Sequence, residues 1–192
     1  MNSAIQPETS TAQWHNLVTD AEAEIGIHLD EEVESYLVFL LMRFTSRPEI
    51  AGSILALEYL QSMQSRGQLQ QEQMRDVGDI CLLHAGFFPK RAEKRLVKIS
   101  YYVDLGRSAY CHLAGQSMAV LANLFGHLAH EFVAIMDTLQ AIQQLNPQND
   151  MLLSPIEAAE LWQDTGSLQA KKAMSGYSDA TIVMANKHGY TH

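Results

Sequence analysis

Basic residues are missing from the first 42 positions. No Lys or Arg precedes Arg43, whereas Glu8, Asp20, Glu22, Glu24, Asp30, Glu31, Glu32 and Glu34 do. The whole chain carries a formal charge of −9, which argues against general binding to nucleic acid or to anionic membranes through the field of the protein. Cysteine is scarce too: Cys81 and Cys111 are the two among 192 residues, and neither belongs to a Cys-x-x-Cys pair. That excludes a disulfide scaffold and a four-cysteine zinc site, and the expectation is two buried thiols outside any disulfide. With only 5 Pro and 11 Gly there are few obligatory turns, so long helices are favoured. The longest strongly apolar stretch, Tyr36 to Met42, is far short of the roughly 20 residues that span a bilayer. The first 20 residues contain no basic residue and no apolar core of the kind that marks a secretory signal. The expectation is a cytoplasmic protein with no membrane partner.

Familiar catalytic signatures are also lacking. There is no G-x-x-x-x-G-K, no G-x-G-x-x-G, no G-x-S-x-G and no H-E-x-x-H, so the common phosphoryl-, hydride- and acyl-transfer scaffolds lose support. Nor does a Glu-x-x-His occur, which disfavours a ferritin-like di-iron bundle. No catalytic residue can be named.

What is present is helix punctuation. Ser10-x-x-Gln13, Ser46-x-x-Glu49 with Pro48, and Ser154-x-x-Glu157 with Pro155 read as capping boxes, and Asp30 before Glu31 and Glu32 reads as a capped first turn. Gly26, the Ser46 junction, Gly67, the Gly86 to Pro89 turn, Gly115 and Asn146-Pro147 read as stops. Val33, Tyr36, Leu37, Leu40, Leu41 and Phe44 form one apolar stripe, and Ile50, Ile54, Leu57 and Leu60 a second. Met118, Leu121, Phe125, Leu128, Phe132, Ile135, Leu139 and Ile142 recur at alternating steps of three and four. This predicts one helix over 116–145, about 45 Å long. The segment 96–103 has strand-type composition but no partner strand, so helix is expected there. The fold expected is all-α: a single-domain bundle of about seven helices over 1–170, built around the long central helix 116–145, with an irregular tail over 171–192.

Three clusters bear on function. His127, His130 and Glu131 lie at steps of three and four, and Cys81 and His84 are three apart on another segment, so the five together would suit zinc or iron if the two segments met at one level. Against this stands the plainer reading of His127 and His130 as half-buried residues beside an apolar seam. Tyr101, Tyr102, Asp104, Arg107 and His112 form a dense polar group, either a pocket for a small anionic ligand or a network that locks helix packing, with Asp104 and Arg107 placed to pair. Lys90, Arg91, Lys94, Arg95 and Lys98 place five of the thirteen basic side chains within nine residues, just after Phe87 and Phe88. This strip is either a grip for nucleic acid or an acidic partner, or a solvated face answered by the acidic first two helices.

No catalytic constellation rises above background, so the leading functional reading is a non-catalytic interaction or regulatory module, a homodimer or one with a protein partner. The alternative is a metal- or small-ligand-binding bundle using His127, His130, Glu131 and the Tyr101 to His112 cluster. The third is a binder of acidic partners or nucleic acid through Lys90 to Lys98.

Overall fold

A computed structural model describes residues 10–48, 59, 62–90, 97–145 and 153–176. Every regular element among them is helical: α1 (Ser10–Ile25), α2 (Glu31–Ser46), α3 (Gly67–Leu82) running on into a π-helical turn (Leu83–Phe87), α4 (Ile99–Gln116), α5 (Ala119–His130), α6 (Phe132–Gln144), α7 (Pro155–Thr165) and α8 (residues 168–176). The all-α expectation is thus met, and 99–103 is helix as its lack of a strand partner demands. No single described helix is long and apolar enough to cross a membrane.

Several local signals act as read, although Asp30 makes no side-chain cap hydrogen bond to α2, and Gly67, read as a stop, begins α3 instead. Ser154 Oγ accepts from the Glu157 N–H, the Glu157 carboxylate accepts from the Ser154 N–H, and Pro155 occupies the first turn of α7. Gly26 and Gly166 close α1 and α7 with φ of 68° and 75°, in the left-handed region where a side chain costs energy. Along α2 the stripe Val33, Leu37, Leu40 and Leu41 is buried, with Tyr36 and Phe44 at its margins. The second capping box, through Glu49, the stripe from Ile50 to Leu60 and the Asn146-Pro147 stop lie outside the described residues.

The long helix does not run straight. α4 ends at Gln116, Ser117 and Met118 are extended, and the rest breaks at Glu131 (φ −89°, ψ 9°) into α5 and α6, which diverge by 66°. The break frees the Ala129 carbonyl, and Arg107 Nε of α4 donates to it at 3.2 Å. The physical reason is burial. A straight 45 Å rod would outrun a domain of this size, whereas the bend turns α6 inward so that all of 135–142 is buried. Six of the eight seam residues, Phe125 to Ile142, join the core; Met118 and Leu121 stay on the surface.

α6 is the most deeply buried helix, with α1 and the π-helical turn packed against it, while α4 packs along α3 and α5 and touches α7. Close approach is bought by small residues. A Cβ at Gly86 would stand 2.5 Å from Leu139 Cβ, one at Gly106 2.4 Å from the Phe132 ring, and one at Gly78 2.5 Å from the Tyr110 ring. These three positions set the spacing of α3, α4 and α6. At the C-terminal end, helix continues over 171–176, where an irregular tail was expected; Ala170 is buried and anchors α8, and Lys172 Nζ reaches Glu24 of α1 at 2.6 Å.

Candidate functional site

Two aspartates that the sequence reading passed over are buried in the interior. Asp79 is 2% exposed on α3. Its Oδ1 accepts from the hydroxyls of Tyr36 (2.6 Å) and Tyr110 (2.7 Å), and its Oδ2 meets Arg43 Nη2 at 3.0 Å. Burial raises the Asp79 carboxyl above its usual range, and Arg43 and the two phenols work against that rise. Burial, followed by the Asp79 charge, pushes both phenols well up, so they stay protonated and act as donors. The second, Asp137 of α6, is 1% exposed. It accepts from the Ser167 hydroxyl and from the Leu168 N–H at 2.8 Å, and Ser167 Oγ in turn accepts from the Ala170 N–H, so Asp137 secures the first turn of α8. Burial drives this carboxyl up to about 6, against the pull of hydrogen bonds from Ser167, Leu168 and Gln169. The signal for both was an acid inside an apolar run: Val77-Gly-Asp79-Ile-Cys-Leu-Leu83 and Ile135-Met-Asp137-Thr-Leu139. A charge so placed must be paired or pay heavily. Both aspartates tie elements together: Asp79 joins α3 to α2 and α4, and Asp137 joins α6 to the start of α8.

The five residues grouped for metal separate into two places. Cys81 and His84 are fully buried: Cys81 lies against the Gly106 and Phe132 contact, and the His84 ring stacks on Tyr102 with centroids 5.2 Å apart. His127 is exposed at the end of α5, where its Nδ1 stands 3.5 Å from Asp30 Oδ2. Glu131 joins this pair, and the three ligand atoms lie within 4.8 Å of one another. His130 is exposed and outside the group. Cys81 and His84, buried inside α3 and its π-helical turn, do not join His127; Asp30, which the sequence presents as a helix cap, stands beside it instead.

The polar group on α4 also disperses, because five residues over twelve positions of a helix point around its whole circumference. Tyr101, Asp104 and Arg107 are exposed, Tyr102 is buried against His84, and His112 is half-buried with no hydrogen-bond partner for Nε2 among the described residues. Arg107 serves the Ala129 carbonyl, not Asp104. In the basic strip, Lys98 pairs with Glu160 of α7 at 3.3 Å, and 91–96 lie outside the described residues. The described N-terminal acids that form ion pairs do so elsewhere: Glu24 with Lys172, Glu34 with His15 and Asp30 with His127.

An apolar surface lies open among the described residues. A groove of about 550 Å³ runs between α2 and α5, lined by Glu31, Glu32, Ser35, Tyr36, Phe39, Val120, Leu121 and Leu124. Phe39 is 63%, Val120 76% and Leu121 50% exposed, and Met118, 86% exposed, stands just before α5. Tyr36 spans both settings: its ring lines the groove while its hydroxyl donates to Asp79. No family model, no curated protein and no solved structure matches this chain.

Proposed function

We propose that this protein is a non-catalytic interaction module that receives a basic, amphipathic segment of a partner protein in the groove between α2 and α5. The observation that carries the reading is the concentration of large exposed apolar side chains, Phe39, Val120 and Leu121, in one concave strip with carboxylates, Glu31 and Glu32, on its rim. Scattered surface apolar residues need no explanation, but a contiguous strip with a polar rim is the usual form of a binding surface. An amphipathic helix fits such a groove through apolar anchors at i, i+3, i+4 and i+7. The acidic rim selects a partner whose flanking residues are Lys or Arg, since charge complementarity governs encounter and register more than affinity. Two copies joined groove to groove would set Glu31 and Glu32 against their own counterparts, so the reading favours a heterologous partner over the homodimer.

The test is fluorescence anisotropy with two labelled helical peptides of equal apolar content, one built from Leu and Lys and one from Leu and Glu. Binding of the Lys peptide only, weakened by salt and abolished by Val120→Asp, is the expected result. Equal binding of both peptides, or binding indifferent to Val120→Asp and Phe39→Asp, overturns the proposal. A dimer on light scattering that Val120→Asp splits would instead assign the groove to a second copy.

A further inference from the structure

From the juxtaposition of Asp30, His127 and Glu131 we infer a divalent transition-metal site, suited to zinc, that ties the start of α2 to the break between α5 and α6. It goes beyond the docking reading and does not depend on it.

The geometry is the first argument. His127 Nδ1 and Asp30 Oδ2 are 3.5 Å apart. That is long for a hydrogen bond, which for N–H···O lies at about 2.7 to 3.2 Å. It matches the separation of about 3.3 Å between two ligands of a tetrahedral zinc with bonds of about 2.0 to 2.1 Å. Glu131 completes a set of three ligand atoms that all lie within 4.8 Å of one another.

The chemistry of the set is the second. One imidazole and two carboxylates supply a nitrogen donor that favours zinc over magnesium or calcium, and two negative charges that a divalent cation neutralises. The two carboxylates face each other across the site, and the Asp30 N–H donates to the Glu131 carboxylate. That N–H also fixes the Glu131 carboxylate, an orienting contact of the kind metal ligands commonly have. Three protein ligands leave a fourth position for water.

The placement is the third. Glu131 is the residue at which the α5–α6 axis breaks, and Asp30 is the residue before the first turn of α2. Glu131 lies one turn after His127, so both side chains reach Asp30 from the same end of α5, just where the axis bends by 66°.

The experiment uses the full-length, untagged chain, stripped with chelator and titrated with zinc chloride by calorimetry, with elemental analysis after gel filtration. The expected result is one zinc per chain, an unfolding midpoint that rises with zinc, and affinity lowered about tenfold or more in His127→Ala, Asp30→Asn and Glu131→Gln, with His130→Ala unchanged. All four side chains lie at the surface or only partly buried, and circular dichroism checks that each variant folds. Cobalt(II) in place of zinc should give the comparatively intense visible d–d bands of a tetrahedral site, with no thiolate charge-transfer band. Absence of stoichiometric zinc, equal affinity in His127→Ala, or a thiolate band implicating Cys81 or Cys111 would each overturn the assignment. Peptide binding in the groove is measured separately, so either result stands without the other.

Discussion

Asp79 and Asp137 are both almost wholly removed from water, on neighbouring core helices, and they are held by different means. Asp79 has a guanidinium and two phenols around it, drawn from α2 and α4. Asp137 has a hydroxyl and backbone N–H groups, all from the entry to α8, and no described cation. A formal charge compensates the first and only dipoles the second. The difference teaches that a buried acid can be a keystone between several helices or a cap for one, and that the two uses differ in what is left behind when the acid is removed.

The largest expected effect tests the keystone. Asp79→Ala takes from Arg43 one of its two carboxylates, leaving Asp76 at 3.1 Å, and strands two buried phenols, each of which should cost about 1 to 3 kcal/mol; urea unfolding measures it. Asp137→Ala strands a hydroxyl and one turn of backbone, and about 1 to 3 kcal/mol is expected. If the two losses proved equal, the distinction between keystone and cap would be gone.

Acid sensitivity sharpens the comparison next. The Asp137 carboxyl titrates at about 6 in the folded chain against 3.8 for a free aspartate. Between those values the folded state holds a proton that the unfolded state has released, so stability is highest at the acid side of this window and falls as pH rises from about 4 through 6. The ceiling on this change is about 3 kcal/mol. Asp79, raised in the same direction, contributes with the same sign. Asp137→Asn should therefore flatten part of the slope of unfolding free energy against pH, leaving the Asp79 part. A slope identical in wild type and Asp137→Asn would contradict the shift.

A smaller effect concerns the space that lets Tyr110 reach Asp79. Gly78→Ala drives a methyl to 2.5 Å from that ring, displacing the hydroxyl from Asp79. About 1 to 3 kcal/mol of destabilisation is expected by thermal denaturation. Gly115, also on a helix, meets nothing within 4 Å; Gly115→Ala should raise stability by about 0.5 to 1 kcal/mol through helix propensity alone. Smallest of all, Val120→Asp on the open face should change stability by no more than about 0.5 kcal/mol while removing peptide binding.

How far sequence reasoning reached depends on whether a signal was local. Capping at Ser154 and Glu157, the turn at Gly26, the buried stripe of α2 and the helical state of 99–103 are written in short windows, because backbone hydrogen bonding and apolar periodicity act within a few residues. Periodicity alone could not reveal the break at Glu131: the step of three and four continues unbroken through Leu128 and Phe132, and only the wish of α6 to be buried on all sides bends the chain. The Cys81 and His84 pair had ligand spacing, yet spacing along one helix says nothing of which other helix it faces.

The sequence by itself determined that this chain is helical, where several helices start and stop, and that its N-terminal third is anionic. Tertiary structure decided which polar residues meet. Asp79 with Arg43, Tyr36 and Tyr110, Asp137 with Ser167, and Asp30 with His127 and Glu131 all join residues 30 to 101 positions apart, and such meetings depend on how packed helices cross, which close contacts such as Gly78 on Tyr110 and Gly106 on Phe132 fix.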